Sequence, residues 1–411
     1  MKRSGSADLP LHYGYVPTWL AERMATLGKA IVEEILASQG KNALLSKLSD
    51  PFWFQSLGAV MGMDWHSSGI TTSVMGALKR SVKPLAKEYD IFICGGKGKQ
   101  SRNTPNELLR FAESTGLGAQ DLIRSSKLSA KVDSTAVQDG FQLYQHHFIV
   151  SNEGEWTVIQ QGMRKSSATA RRYHWHSPSV QSFTEEPHTS IYGEKQGNIL
   201  NLTDKMAQPL KTVMMKAAAE NPDKLLLEIS KMKHLVMPGY HDVRAKDVNI
   251  KRLGTVLWLA QEKNVNNFEE LLLLEGLSSR TLKSLALVSE VIYGQPAQFK
   301  DPARFSFAHG GKDGHPFPVP TNTYDETIDT LQRAIQKSKL GYQDKIQAIQ
   351  SLSKITARLA ENFVPDGSLN DLIARERADS WKYGGRTVFG NTQPPHNLQL
   401  DLFNDLLEER I

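Results

Sequence analysis

The sequence has very little cysteine and no long hydrophobic run. One cysteine, Cys94, occurs in 411 residues, which excludes an internal disulfide and a zinc site built on several cysteines. No stretch of about 18 apolar residues is present, so no membrane span is expected. The first residues, MKRSGSADLPLHYG, are basic but lack the apolar core of a secretory signal. We therefore expect a protein of the reducing cytoplasm with no membrane contact.

The glycine motifs of nucleotide-binding proteins are also missing. The loop ICGGKGKQSRNTP joins a strand to a helix, but it matches neither GxxxxGK[ST] nor GxGxxG. Its side chains Lys97, Lys99 and Arg102, together with amides at a helix start, form a candidate phosphate cradle; an exposed basic turn is the alternative. The net charge of +5 favours a polyanionic partner only slightly.

Secondary-structure patterns divide the chain into three parts. Helical periodicity, the strand YDIFICGG and the hairpin GFQLYQHHFIV–SNEGE–EWTVIQQGM predict a mixed α/β candidate catalytic domain over residues 1–225. Helical patterns almost without strands predict an all-α DNA-binding domain over 226–380. Loss of periodicity and gain of Gly, Pro and Asn predict a flexible tail over 381–411. In NTPNELLRFAE, Thr104 and Glu107 predict an N-cap and a capping box.

The helical domain contains the segment FEELLLLEGLSSRTLKSLALVSEVIYG, which resembles the helix-hairpin-helix motif of DNA repair proteins. In that family, backbone amides of the hairpin hold a DNA phosphate. The matching residues are Leu274, Gly276, Leu277, Ser278, Arg280 and Thr281. Ser278 departs from the motif, where a second glycine is usual. Lys283 adds charge, so the segment predicts DNA binding that does not depend on base sequence; an ordinary αα-hairpin is the alternative.

Some base-excision glycosylases carry this motif with an aspartate about twenty residues downstream, and some have a lysine at the hairpin. Asp301 is the nearest candidate for that acid here. Arg280 occupies the hairpin position, so the resemblance gives little support to Schiff-base chemistry.

A second basic segment, QQGMRKSSATARRYHWHS, mixes cations with flat rings. Cations of this kind hold phosphates while the rings stack on unpaired bases. A solvated loop with core aromatics is the alternative. The cations are Arg164, Lys165, Arg171 and Arg172, and the rings are Tyr173, His174, Trp175 and His176.

Candidate metal ligands lie in the first half of the chain. A hairpin with Asp139 on its first strand and with Gln160 and Gln161 on its second is similar to the hairpin of restriction-type nucleases, in which such residues hold Mg²⁺ and a lysine orients water. Lys131 or Lys165 would supply that lysine. The catalytic candidates are Asp64, His66, Lys131, Asp133, Asp139 and Gln160, with Asp64 and Asp139 as ligands of Mg²⁺ or Mn²⁺.

Histidine pairs give further candidates for metal binding. In a strand, His146 and His147 point to opposite faces, so they do not easily share one metal, whereas His174 and His176 share a face. The loop HGGKDGHPFP is expected to be a rigid structural loop, with metal or phosphate binding as the alternative. Its polar candidates are His309, Asp313 and His315.

Several stretches together resemble an uncharacterised bacterial and archaeal family, numbered 763 among the domains of unknown function. They include ADLPLHYGYVPTWL, DPFWFQSLGAVMGMDWHSSGITTS, GGKGKQSR, AKVDSTAVQDGFQLYQHHF and DPARFSFAHGGKDGHPFPV. The resemblance covers roughly residues 5–350. It implies no established activity and no catalytic residues.

The C-terminal tail contains a short peptide, Gln399, Leu400, Asp401, Leu402 and Phe403. All five positions resemble the peptide by which bacterial polymerases and repair proteins bind the sliding clamp. In such a complex Leu402 and Phe403 would fill an apolar pocket, and Gln399 would hydrogen-bond at its rim. The implied partner is the bacterial clamp, the beta subunit of DNA polymerase III. The alternative is an amphipathic helix docked on its own protein, because the apolar residues also have helical spacing.

Together these observations favour a nucleoid-associated DNA-binding protein of repair or replication, tethered to the clamp. The expected activity is metal-dependent cleavage of damaged or branched DNA. A helix-hairpin-helix glycosylase and a non-enzymatic DNA-binding adaptor are the alternatives.

Overall fold

A computed structural model of the chain describes residues 9–10, 16–63, 68–164, 166, 168–193, 196–231, 250–303, 321–338, 341–361, 378, 386–387 and 390–391. The helices of the first half are α1 Thr18–Ser38, α2 Lys41–Ser49, α3 Pro51–Val60, α4 Gly69–Val82, α5 Ala86–Tyr89, α6 Lys99–Arg102, α7 Thr104–Thr115 and α8 Ala119–Lys131. The later helices are α9 Gln208–Ala219, α10 Pro222–Lys231, α11 Ile250–Glu262, α12 Phe268–Leu273, α13 Ser279–Tyr293, α14 Thr321–Lys337 and α15 Tyr342–Glu361. None of the described helices is long and apolar enough to cross a membrane.

The strands form a central antiparallel sheet in the first half of the chain. They are β1 Leu9–Pro10, β2 Ile91–Lys97, β3 Gln142–Ser151, β4 Trp156–Arg164, β5 Thr169–His176 and β6 Ser190–Tyr192. Their order is β1-β5-β4-β3-β2, with β6 pairing to β5. The predicted hairpin is confirmed as β3 and β4, with His146 opposite Gln160 and Phe148 opposite Val158. Two short strands, β7 Arg386–Thr387 and β8 Gly390–Asn391, pair with each other within the predicted tail.

Helices cover both faces of this sheet. On one face, Phe148, Val158 and Trp175 share an apolar core with α7–α13. We call this the hairpin face, since α12 and α13 lie on it. On the other face, Ile149 and Ile159 share a core with α1–α4, α14 and α15. The mixed helix-and-sheet class predicted from the sequence is therefore confirmed, and the sheet is the middle layer of three.

The later helices do not form a core of their own in the described part of the chain. The apolar side chains of α9 and α11–α13 join the core of the hairpin face, and Leu331 and Ile335 of α14 join the core of the other face. Periodicity identifies the apolar side of a helix, but it does not say which partner covers that side. The predicted boundary at residue 225 therefore lies within a continuous core.

Glu107 does not form the predicted capping box, and Thr104 is the first residue of α7 rather than its cap. Asn103 precedes the helix without a side-chain capping bond. The Glu107 carboxylate instead accepts from the Gly95 amide at 2.5 Å and from Lys79 Nζ at 2.9 Å. Lys79 also donates to the Gly95 carbonyl at 2.6 Å. The acid that the pattern assigned to a helix end thus ties α7 and α4 to the end of β2.

Candidate functional site

The predicted helix-hairpin-helix segment folds as α12 and α13 joined by a short turn. Gly276 in this turn has φ of 78°, a left-handed conformation that glycine adopts without strain. Leu274 and Leu277 are buried and hold the turn against the core. Ser278, which replaces the usual second glycine, is the N-cap of α13 and does not need a left-handed backbone. The helical hairpin is therefore present, and its binding of phosphate stays a prediction.

Backbone amides are presented at the start of α13. The Oγ of Ser278 accepts a hydrogen bond from the Thr281 amide at 3.2 Å. Within the described residues, the amides of Gly276, Ser279 and Arg280 donate no hydrogen bond to the chain. Arg280 is exposed, whereas Thr281 is buried and bonds Ser278 instead of facing solvent. An anion at this position would meet free amides, the positive end of the helix dipole and a guanidinium group.

Charges of both signs surround the turn. Lys283 lies two residues beyond Thr281 and is partly buried, while Glu275 is exposed within the turn itself. The carboxylate of Glu275 would repel a phosphate, so the net attraction rests on Arg280 and Lys283.

The turn is fixed to the end of α8, where a single π-helical turn, Val132–Ala136, follows the helix. Lys131 Nζ donates to the Leu277 carbonyl at 3.0 Å. Gln138 Nε2 donates to the Ser279 carbonyl at 3.0 Å. Burial lowers the pKa of Lys131 from its usual value. Lys131, predicted to orient a catalytic water, is thus placed against the hairpin.

The side chains of the basic turn after β2 are exposed. Lys97, Lys99 and Arg102 all face solvent. The preceding glycines permit this path, because a Cβ on Gly95 would collide with the His146 carbonyl oxygen. The three cations on and beside the short α6 offer an electrostatic contact for a polyanion, and the phosphate cradle stays a prediction.

The prediction that Arg171 and Arg172 contact nucleic acid is wrong, because both side chains are 0% exposed. The segment is strand β5, so the two neighbours point to opposite faces of the sheet and each meets buried partners. Arg172 donates to Gln55 Oε1 at 2.6 Å and to His174 Nε2 at 3.0 Å, and it lies 4.7 Å from the Phe54 ring centre. Burial lowers the pKa of Arg172 to about 10.

Asp139 and Asp301 hold Arg171 between them. The guanidinium donates to Asp139 at 3.0 Å and to Asp301 at 2.9 and 2.7 Å. Asp139 also accepts from Tyr173 Oη at 2.7 Å and from the Phe141 amide at 3.0 Å. Burial raises the pKa of Asp139, and the charge of Arg171 opposes this rise. A metal ion on Asp139 would have to displace these donors, and Asp301 serves here as a counter-ion.

Asp133 is the centre of a separate buried network on the hairpin face. Its Oδ2 accepts from Gln160 Nε2 at 2.5 Å and from Trp175 Nε1 at 3.1 Å. Its Oδ1 lies 2.5 Å from His188 Nε2. Burial raises the pKa of Asp133, while the neighbouring His188 and the hydrogen bonds oppose the rise. The structure therefore brings Asp133 and Gln160 together, and Gln160 donates a hydrogen bond to Asp133. The Asp133 carboxylate is also in contact with Trp175 and His188.

The histidine pairs occupy the predicted faces but share no metal geometry. His146 Nε2 bonds Ser126 at 2.8 Å on the hairpin face, whereas His147 lies on the opposite face. His176 Nε2 bonds Glu155 at 2.8 Å near the end of β5. Within the described ranges, no group of three or more His, Cys, Asp or Glu side chains is arranged to hold a metal ion.

Several predicted site residues lie outside the described residues. They are Asp64, His66, Lys165, His309, Asp313, His315, Gln399, Leu400, Asp401, Leu402 and Phe403. The predicted Mg²⁺ or Mn²⁺ site at Asp64 and Asp139 and the clamp-binding peptide therefore stay predictions.

Comparison with known proteins identifies one family. A model described as "Protein of unknown function (DUF763)" matches residues 5–319. The chain belongs to this family. No curated protein and no solved structure matches it. The DUF763 match includes the sheet and the α12–α13 hairpin, and it ends before α14.

One residue of the buried network in this DUF763 protein, His188, was not predicted from the sequence. His188 stands in SFTEEPHTS, a loop with no periodicity and no neighbouring ligand pattern. Its partner Asp133 is more than fifty residues away in the chain, at 2.5 Å in space. Only the folding of the loop onto β5 brings the two together.

Proposed function

We propose that this DUF763 protein binds DNA in genome maintenance and holds the phosphodiester backbone at the α12–α13 turn. One observation carries the proposal: the amides of Gly276, Ser279 and Arg280 donate no hydrogen bond within the described residues, and they lie within five residues of one another at the start of α13, where Arg280 is exposed. Phosphate is the anion that suits amides and a guanidinium together. Since these groups reach no base edges, binding would be independent of sequence.

The anchoring of the turn supports the same proposal. Lys131 and Gln138 hold two of its carbonyl oxygens, so the amide groups keep their directions before a ligand arrives. A preorganised site loses little conformational entropy on binding. The exposed cations Lys97, Lys99 and Arg102 would add long-range attraction to DNA.

Cleavage at Asp64 and Asp139 with Mg²⁺ or Mn²⁺ is a second proposal, supported by the similarity to restriction-type hairpins. The geometry favours binding over cleavage at this position, because Arg171 and Tyr173 occupy the carboxylate of Asp139. Release of a base by Asp301 would require the Asp301 carboxylate to break its ion pair with Arg171.

Tethering to the bacterial sliding clamp completes the proposed function and implies association with the nucleoid. It is supported by the agreement of all five residues from Gln399 to Phe403 with the clamp-binding peptide. A clamp pull-down tests it: Leu402→Ala with Phe403→Ala should abolish capture and leave DNA binding unchanged. Capture of the double variant by the clamp would refute the tether.

DNA binding is tested by fluorescence anisotropy of a labelled duplex over a range of salt concentrations. Arg280→Ala with Lys283→Ala should weaken binding about ten- to a hundredfold, since a hydrogen bond to a charged group contributes about 1.5–3 kcal/mol. The slope of log Kd against log salt should fall by about one for each phosphate that the variant no longer neutralises.

A matched control keeps the net charge equal. Lys83→Ala with Lys87→Ala removes two exposed cations near α5 and should change neither the affinity nor the slope by a comparable amount. Equal losses of affinity in the two double variants would mean that binding depends on total charge and not on the hairpin.

A further inference from the structure

The pair His188 and Asp133 has an arrangement that the proposed DNA binding does not explain. Asp133 is fully buried, while the His188 side chain is 7% exposed. His188 Nε2 lies 2.5 Å from Asp133 Oδ1. The edge of Trp175 packs on the imidazole, with ring centres 4.5 Å apart, and Tyr173 lies 6.2 Å away. The ring is thus held on one side by a carboxylate and on two others by aromatic groups.

Hydrogen bonds through the sheet fix which ring nitrogen carries the proton. His146 lies between the Ser126 hydroxyl and Gln160 Oε1, both at 2.8 Å. Because Gln160 Oε1 accepts from His146 Nδ1, its Nε2 must donate to Asp133. When Asp133 is ionised, its Oδ2 accepts from Gln160 and Trp175 and its Oδ1 accepts from the Nε2–H group of His188. The lone pair of a neutral His188 is consequently on Nδ1.

Nδ1 of His188 makes no hydrogen bond within the described part of the chain. His146 differs from His188 because it uses both ring nitrogens, and His147 and His174 differ because their side chains are buried within the sheet layers. In His188 a carboxylate orients Nε2, and Nδ1 keeps its lone pair. An imidazole in this arrangement is suited to accept a proton.

The pair is also linked to the proposed phosphate site. Asp133 lies in the π-helical turn that follows α8. Lys131 before this turn and Gln138 after it are both bonded to the α12–α13 turn. The segment from Lys131 to Gln138 thus connects the proposed phosphate contact with the His188–Asp133 pair, and π-helical turns are frequent at functional sites.

We propose that His188 is a general base for hydrolysis of a phosphodiester, with Asp133 as its positioning residue; this rests on the proposed DNA binding. Nδ1 takes a proton from water as the water oxygen bonds to phosphorus. The bond from phosphorus to the leaving sugar oxygen breaks with its electron pair. The imidazolium returns the proton to that oxygen, so water and diester give a monoester and an alcohol with the histidine unchanged.

The experiment measures binding and cleavage in the same samples of the full chain. Labelled single-stranded, duplex, flap and abasic DNA are incubated with the protein, with Mg²⁺ and with chelator. His188→Ala should lower the cleavage rate about 100-fold or more, which is the usual contribution of a general base, and leave the affinity unchanged. Added imidazole should restore part of the rate. His188→Gln keeps a donor for Asp133 and should be as inactive without loss of folding.

Two further variants separate a catalytic from a structural role. His176→Ala removes a histidine that is bonded to Glu155 at the end of β5, and this variant should cleave like the wild type. Asp133→Asn should slow cleavage and change the ¹⁵N chemical shifts of the His188 ring, because an amide no longer holds the same tautomer. If the wild type binds DNA but does not cleave it, the role of His188 as a general base is overturned and DNA binding stands. Unchanged cleavage by His188→Ala would have the same meaning. Absence of binding would overturn both.

Discussion

Replacement of His147 by leucine should make the protein more resistant to acid. Burial lowers the pKa of His147 to about 3, from an ordinary value of 6.5. The positive charges of Lys79 and protonated His146 act in the same direction. Since the unfolded chain binds a proton here more readily than the folded chain, the stabilisation is present above pH 6.5. It is lost as the pH falls toward the folded pKa.

The magnitude follows from these two pKa values. Between about pH 7 and about pH 5 the unfolded state takes up nearly a full proton at this site, which costs the folded state about 2 kcal/mol. His147 Nδ1 is also buried without a hydrogen-bond partner among the described groups. Leucine removes both the titration and the unsatisfied nitrogen, so the variant should be no less stable at neutral pH.

The assay is urea unfolding followed by tryptophan fluorescence, extrapolated to zero urea at the two pH values. The fall in unfolding free energy between them should be about 2 kcal/mol smaller in His147→Leu than in the wild type. Other titrating groups cancel in this difference. An equal fall in both proteins would refute the reasoning.

The neighbouring histidine supplies the comparison. Burial lowers the pKa of His146 to about 4, so His146→Leu should show a similar gain in acid. At neutral pH it should instead lose about 1–3 kcal/mol, because Ser126 and Gln160 would be left without their buried partner.

Three further predictions concern the hairpin and the buried ion pairs. Gly276→Ala and Gly294→Ala should each lower the free energy of unfolding by about 1 kcal/mol, because both glycines have a left-handed φ and open space where a Cβ would lie. Only Gly276→Ala should weaken DNA binding, and equal weakening by both variants would exclude the α12–α13 turn as the binding site. Glu275→Gln should tighten DNA binding about threefold at low salt by removing an exposed carboxylate from the turn, and an unchanged Kd would contradict the phosphate position. Arg171→Met should destabilise the protein by about 3 kcal/mol near neutral pH, because it leaves a buried carboxylate unpaired. The loss should be smaller in acid, where Asp139, whose pKa is raised by burial, takes up a proton; equal destabilisation in urea unfolding at both pH values would exclude this cause.

Local patterns predicted the elements of the fold well. The two β-rich runs that form β3 and β4 and the short polar loop between them predict a hairpin, because strands joined by a short loop pair with each other. The apolar spacing and Gly276 likewise predicted α12, α13 and the turn between them. Such features depend on neighbours within a few residues of one another.

The buried arginines could not be predicted in this way. The sequence indicated that Arg171 and Arg172 face solvent. The carboxylate of Asp301, which neutralises Arg171, lies 130 residues further along the chain and gives no local signal. The second, Arg172, is held by neutral groups on α3 and by aromatic rings, which no charge pattern indicates. Long-range pairing of this kind depends on the path of the chain and not on local spacing.

The placement of α14 and α15 has a consequence for any ring-binding tail. Lys337 of α14 contacts Glu34 at 2.5 Å, so these helices close over α1 on the side of the sheet remote from the hairpin. Ala348 and Leu352 of α15, which ends at Glu361, also pack on this side of the sheet, opposite the proposed phosphate contact. Across three packed layers the separation is roughly 20 Å. If the clamp-binding peptide and the α12–α13 turn act as proposed, the segment between Glu361 and Gln399 must span at least this separation for the ring and the turn to hold one duplex.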